Sequence, residues 1–393
     1  MESDSPLYSL ESLFQEAPSQ SSAPTWSEIA KPCHPAYVLK NFKHELSPYE
    51  LQEILNYPEI YFISTPENKV KASRVYEYLD DNYHYIIKKG DHICYRYELD
   101  IFLGNGSYGN VVKAFDHKEK KYVAIKILKK DEDGDDEFMD GLALDEVKIL
   151  KDIKQHNGRD SHVIEYLDYF MFRGHHCITF PLYEDSLYRY RKLHGTFSLS
   201  ELKKIAIQIL KGLKFLRERK IVHGDLKPGN ILLNPRTLDI ALIDFGLSCY
   251  ETDPNLWMGL QTLFFRAPEV FLGIKYTGQI DMWSLGCILA YLYRGRYIFG
   301  GKNDYDQFWQ ICCILGLPPQ TMIAQTSKES KKALFKRDLT PKENVIQRYT
   351  VEMFLQCEDE AFVDFVKKCF VYNPNERLTP EQGLLHPWIV NNN

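Results

Sequence analysis

The sequence predicts an α+β protein of two lobes, a small β-rich lobe with one main helix followed by a larger, mainly helical lobe. Three observations carry this reading. Between Tyr97 and Leu128 three runs rich in β-branched and aromatic residues succeed one another with only turns between them, a meander with no helix inside it. Further on, Ser198 and Glu201 form a capping box ahead of Leu202, Ile205, Ala206, Ile209, Leu213 and Leu216 at helical spacing. Residues 282–293 are apolar almost all the way round, the pattern of a helix buried in mid-domain.

Taken in chain order, residues 1–35 are rich in Ser, Pro, Gln and Glu and poor in aliphatics, so a disordered tail is expected there. Residues 36–96 read as an accessory segment in which Ser47 caps a short helix with Pro48 in its first turn, before a β-like run at 60–63. The small lobe follows over 97–180. After the acidic run 131–136, Leu142, Ile149, Leu150 and Ile153 mark one face of its helix, and Glu146 sits inside that apolar stripe, where a lone acid needs a partner. The large lobe is expected over 184–390, within a single unit of 97–390.

Composition narrows the classes. The 393 residues suit two or three folding units, and 44% hydrophobic with 26% charged residues is ordinary globular usage. Lys and Arg total 48 against 54 Asp and Glu, so no global basic field suggests nucleic acid or an anionic membrane as partner. The nine cysteines are odd in number and form no C-x-x-C pair, which favours a reducing compartment, cytoplasm or nucleus. No basic leader with an apolar stretch opens the chain, and no run of about eighteen apolar residues occurs, so neither secretion nor membrane spanning is expected.

Chemistry concentrates in three places. Gly104-Asn-Gly106-Ser-Tyr-Gly109 is a weak motif alone, but a strand follows it where a dinucleotide fold needs a helix, and Lys126 stands on the next strand in Val123-Ala-Ile-Lys126. Glycines between paired strands let backbone N–H groups approach a triphosphate, and the strand lysine reaches its oxygens, with Glu146 able to orient the ammonium. Second, the polar loop His223-Gly-Asp225-Leu-Lys227-Pro-Gly-Asn230 lies between short apolar runs. Asp225 can accept a hydroxyl proton, Lys227 can neutralise a migrating phosphoryl group and Asn230 offers an amide oxygen to a metal. Third, the apolar run 240–243 ends on Asp244-Phe-Gly246, and Asp244 with Asn230 makes an oxygen clamp suited to magnesium.

With Ala267-Pro-Glu269, Asp281-Met-Trp-Ser-Leu-Gly286 and Arg377 added in order, the chain resembles a eukaryotic protein kinase over residues 97–390. The resemblance implies ATP and magnesium as cofactors and protein substrates, with Asp225, Lys227, Lys126, Glu146 and Thr262 catalytic. It implies nucleotide contacts from Leu103, Gly104, Asn105, Gly106, Ser107, Tyr108, Gly109, Val111, Ala124 and Lys126, and at the hinge from Phe180, Pro181 and Tyr183. Asn230 and Asp244 take the metal. Glu269 is expected to pair with Arg377, and Asp281 to anchor the catalytic loop. Asp-Leu-Lys-Pro-x-Asn, with Thr262 seven residues before Glu269, is the Ser/Thr pattern, while tyrosine specificity stays open. Arg266 beside Ala-Pro-Glu is similar to the CMGC group and implies proline after the target. Gly90-Asp-His-Ile-Cys-Tyr-Arg-Tyr97, Tyr49-Glu-Leu-Gln-Glu-Ile-Leu, Asp244-Phe-Gly-Leu-Ser-Cys249 and gatekeeper Phe180 are similar to the DYRK (dual-specificity tyrosine-regulated) kinases, whose accessory region the segment before Tyr97 resembles.

The departures are as specific as the matches. Gly224 stands where DYRK relatives have cysteine, so that residue cannot pair with Cys249, and Gly229 replaces a glutamate that faces ribose and basic substrate residues. Gly259 and Leu263 stand at the positions of the family's activating phosphotyrosine and its arginine. Packing of Leu256, Trp257, Met258 and Leu260 is expected to order the segment instead, with Tyr250 as a substitute phosphosite. An active monomeric Ser/Thr kinase is expected. The rival is a catalytically weak pseudokinase scaffold, against which stands retention of Lys126, Glu146, Asp225, Asn230 and Asp244 together.

Overall fold

In the computed structural model, which describes residues 25–106, 108–130, 137–156, 158, 160–253, 260–343, 347 and 349–391, the chain divides into two units. One holds the residues up to Asp140 with Leu167–Leu182, the other Gly141–Tyr166 with the residues from Tyr183 onward.

The first unit opens with helices α1 (Pro35–Asn41) and α2 (Glu50–Glu53). Its antiparallel sheet comprises β1 (His92–Ile93), β2 (Tyr97–Gly106), β3 (Gly109–Asp116), β4 (Lys121–Leu128), β5 (Asp168–Phe172) and β6 (His175–Pro181), in the order β1-β2-β3-β4-β6-β5. The meander read from the sequence is β2 to β4. Val112 lies opposite Ile125 and Ala114 opposite Val123, all four buried, so the alternation of side chains fixes which face covers the core.

Two expectations about the amino-terminal region change. Residues 25–35 are ordered, because this stretch carries apolar groups with somewhere to go: Trp26 meets Phe42 edge to face at 5.4 Å, and Cys33 is buried. Residues 1–24 of the expected tail lie outside the described residues. The β-like run at 60–63 contributes one antiparallel bridge, Cys33 to Ile60, and the Tyr61 and Phe62 N–H groups both donate to the Tyr95 carbonyl. The Ser47 cap does form, with Ser47 N–H on the Glu50 carboxylate and Glu50 N–H on the Ser47 hydroxyl, and α2 is only a single turn.

Beneath α2 lies a buried ionic cluster that no local pattern announced. Glu50 accepts from Lys69 and His92 at 2.7 Å each, and Glu53 takes a two-pronged bond from Arg173 at 2.8 and 2.7 Å. Arg173 also donates to the Tyr85 hydroxyl at 2.9 Å and stacks its guanidinium 3.7 Å from the Tyr78 ring centroid. Burial works against the Glu50 carboxylate, but the His92 and Lys69 bonds hold its pKa well below the usual range. The accessory segment is thereby tied to the β5–β6 turn, which carries Arg173.

Helix α3 (Glu137–His156) buries Glu146, Ile149, Leu150 and Ile153 of the expected stripe and adds Ala143 and Val147, whereas Leu142 is only partly buried. The second unit continues with β7 (Asp185–Ser186), α4 (Leu187–His194) and α5 (Leu199–Glu218), whose capping box of Ser198 and Glu201 is present. Short strands β8 (Ile221–Val222), β9 (Ile231–Leu233), β10 (Ile240–Leu242) and β11 (Cys249–Tyr250) pair as β10-β9-β7 and β11-β8. Helices α6 (Pro268–Phe271), α7 (Gln279–Arg294) and α8 (Asp304–Leu315) follow. Every residue of α7 from Ile280 to Leu292 is buried, which explains its apolar circumference. Among the described residues no helix is long and apolar enough to cross a membrane.

Candidate active site

The polar loop between β8 and β9 is held from behind by a carboxylate. Asp281, on α7, accepts the His223 N–H at 2.9 Å and the Gly224 N–H at 3.1 Å, and burial pushes its pKa up while those two bonds oppose it. His223 accepts the Asp225 N–H on Nδ1 at 3.3 Å and reaches the Ile243 carbonyl with Nε2 at 3.0 Å. Both ring nitrogens are thus used in fixing the backbone, which leaves the Asp225 side chain to the front.

There the Asp225 carboxylate gathers four donors. Lys227 Nζ lies 2.6 Å from Oδ2, the Thr262 hydroxyl 2.7 Å and its N–H 3.0 Å from Oδ1, and Asn230 Nδ2 3.2 Å from Oδ2. Lys227 also donates to the Thr262 hydroxyl at 3.2 Å. The chain brings Asp225, Lys227, Asn230 and Thr262 into one cluster from loop positions 37 residues apart at most. Asn230 gives its second N–H bond to the Asp225 carbonyl, so the carboxamide oxygen is the atom left to face a cation. The Ile243 N–H on the Asn230 carbonyl brings the next residue, Asp244, alongside, with φ +67° turning it out of the β10 direction. An amide oxygen and carboxylates are the donor set of a hard divalent ion, so these residues fit magnesium.

Gly224 has a structural reason. Its φ is +77°, and a Cβ would stand 2.7 Å from the Leu247 carbonyl oxygen. At Gly229 a Cβ meets nothing within 4 Å. Gly224→Ala is therefore expected to cost about 1–2 kcal/mol in denaturant unfolding, and Gly229→Ala close to nothing. Equal losses would refute the strain argument. Cys249 is buried, and desolvation raises its thiol to about 12.

A residue that motif reading missed is Gln261. It adopts φ +69°, and its amide anchors the segment by donating to the Ile280 carbonyl at 3.0 Å and the Ser284 hydroxyl at 2.8 Å while accepting from the Ala267 N–H at 2.9 Å. Its carbonyl takes two bonds from Arg266, at 3.1 and 2.9 Å. A left-handed non-glycine residue gives no signal in sequence. Glu269 and Arg377 make the expected pair, two-pronged at 2.7 and 2.9 Å with no exposed surface on either side chain. Leu260 is buried and Leu263 begins a short 3-10 turn. Leu256, Trp257, Met258 and Gly259 lie outside the described residues. Tyr250 donates its hydroxyl to Asp152 at 2.9 Å, which, after burial, raises its pKa to about 12.

In the first unit, Lys126 is buried on β4, paired in register with Val111 on β3 and Ile178 on β6. Ala124 lies opposite Phe180, and Val123 opposite Pro181. Gly106 pairs with Gly109 at the tip of the β2–β3 hairpin, beside Asn105 opposite Asn110 and Gly104 opposite Val111, while Leu103 is exposed. The Tyr108 carbonyl accepts the Lys129 N–H, and Ser107 lies outside the described residues. A Cβ at Gly109 would stand 2.2 Å from the Ile127 carbonyl oxygen, a packing demand, whereas one at Gly104 meets nothing within 4 Å. In the second unit Glu146 is buried on α3 and Tyr183 is partly buried ahead of β7.

Residues 97–389 match the family described as protein kinase domain. Among similar proteins, the human dual specificity tyrosine-phosphorylation-regulated kinase 4 is 39% identical over 90% of this chain and 70% of its own length. The Drosophila melanogaster putative dual specificity tyrosine-phosphorylation-regulated kinase 3 homolog is 36% identical over 90% of this chain and 46% of its own length. For the Dictyostelium discoideum probable serine/threonine-protein kinase dyrk2 the figures are 37%, 91% and 40%. The chain belongs to the protein kinase family and, within it, to the DYRK kinases. It spans less than half the length of the second and third of these relatives.

Proposed function

We propose that the chain transfers the γ-phosphoryl group of ATP to serine or threonine in protein substrates, with magnesium held by Asp244 and Asn230. The observation that carries this is the Asp225 cluster. Its carboxylate accepts the substrate hydroxyl proton, and its bonds from Thr262 and Lys227 keep it aimed. Lys227, already 2.6 Å from that carboxylate, neutralises charge on the migrating group. Lys126 and Glu146 take the phosphate-clamp roles assigned by their motif order, and Leu103 to Val111, Ala124, Phe180, Pro181 and Tyr183 the nucleotide contacts. Held by Asp244 and Asn230, magnesium would supply neutralisation of phosphate charge.

Proline preference follows from Gln261. Arg266 occupies its carbonyl twice, so a substrate backbone N–H arriving there would stay unpaired, at a cost of about 1–3 kcal/mol. Proline has no N–H and avoids that loss. A degenerate peptide library with labelled ATP is expected to enrich proline directly after the target several-fold, and Arg266→Ala to reduce the enrichment. No enrichment in the wild type would remove this reading.

Activity without tyrosine phosphorylation is the second part. A phosphotyrosine orders a loop through charge-assisted bonds to arginine, and Gly259 and Leu263 lack both partners. The anchored Gln261 and buried Leu260 support a segment held by packing. Tyr250, the substitute phosphosite, is engaged with Asp152, which also takes Arg219 at 2.7 Å. All nine cysteines are free thiols, which suits a reducing compartment, cytoplasm or nucleus.

A further inference from the structure

The catalytic account leaves unused a concentration of positive charge in the second unit. Residues 328–342 carry six cations, Lys328, Lys331, Lys332, Lys336, Arg337 and Lys342, against two carboxylates, in a chain whose net charge is −6. The segment is folded: a helix, Lys328–Leu334, runs into a hairpin in which Phe335 bridges Pro341 and the Lys336 N–H donates to the Thr340 carbonyl at 2.8 Å. Leu334 and Phe335 are buried, Phe335 against Phe308 and Trp309 of α8, so the cations project from an anchored base. All are exposed except Lys331, which is partly buried.

Their partners are the second observation. Among the described residues none of the six forms an ion pair with a carboxylate. Lys331 and Lys342 rest on the carbonyls of Ala324 and Lys332, while Asp338 is taken up by Thr340 through its N–H and hydroxyl. An exposed cationic hairpin whose cations outnumber its carboxylates and, among the described residues, form no ion pair with them is complementary to an acidic chain. Its position ties it to the acceptor side of the site, since the Ser327 N–H donates to the Leu272 carbonyl immediately after α6, which follows the Arg266 segment.

We propose that this hairpin docks a run of aspartate and glutamate in the protein substrate, outside the segment being phosphorylated. Five of the six cations are lysines, which attract carboxylates as point charges, and the single arginine gives little of the forked geometry that selects phosphate. The docking role rests on the kinase reading above, and the test separates the two.

Fluorescein-labelled octaglutamate is titrated into the full chain at about 20 and about 200 mM salt, across which screening strengthens severalfold. Saturable binding at low salt, weakened about tenfold or more at high salt and lost in the triple variant Lys332→Glu, Lys336→Glu, Arg337→Glu, is expected. Two peptides sharing one Ser-Pro target are then compared, plain and with an acidic tail on a flexible linker at either end. The better tailed peptide is expected to show a KM about tenfold lower, a gain absent in the variant, whose KM and kcat for the plain peptide stay at wild-type values. Absent binding, binding that survives charge reversal, or duplex DNA of matched charge binding more tightly than octaglutamate overturns the proposal. If the plain peptide is not phosphorylated at all, the kinase reading fails while the titration still decides this one.

Discussion

Asp244→Asn and Lys126→Met are each expected to lower turnover by about a hundredfold or more, which corresponds to roughly 3 kcal/mol of lost transition-state stabilisation. Asp244 follows β10 in a left-handed conformation beside Asn230, the two residues proposed above to hold magnesium. Exchange of its carboxylate for an amide keeps shape and removes charge, so the loss falls on the chemical step. Lys126 is buried in register between Val111 and Ile178, and methionine fills its volume without the ammonium. The check is steady-state phosphotransfer alongside thermal melts. Near-normal turnover in both variants with unchanged folding would refute the mechanism.

Arg173→Ala is expected to destabilise the first unit by about 3–5 kcal/mol, because it leaves Glu53 buried with its principal cation gone. Tyr85 loses its partner at the same time, and the Tyr78 ring loses the guanidinium stacked on it. Glu53→Gln, which keeps the shape and a hydrogen bond, should cost less. A double-mutant cycle on these two positions should give a coupling of about 1 kcal/mol or more. Denaturant unfolding of the full chain measures both, and additive single losses would show that the accessory segment is not braced through this pair.

How much of this was legible in the sequence depends on range. The β2–β4 meander, the capped α5, the apolar α7 and the loop bearing Asp225, Lys227 and Asn230 are written in neighbouring residues, and local spacing alone outlined them. The Arg173–Glu53 bond joins positions 120 residues apart, and a lone arginine in a turn carries no sign that it will be buried. Order in residues 25–35 was missed for a related reason: Trp26 and Cys33 are sparse in a polar stretch, and their partners Phe42 and Ile60 come later. Gln261 escaped because a positive φ outside glycine is decided by surrounding bonds, here those from Arg266 and to Ser284. Gly224 was visible as a departure, but its cause, the nearby Leu247 carbonyl, was not.

The most direct test is phosphotransfer by the bacterially expressed chain, with phosphosites mapped by mass spectrometry, before and after treatment with a tyrosine-specific phosphatase. Label from γ-labelled ATP should pass to Ser-Pro peptides in the presence of magnesium at the same rate in both samples. No transfer from well-folded protein, or activity that collapses once tyrosine phosphate is removed, would contradict the account.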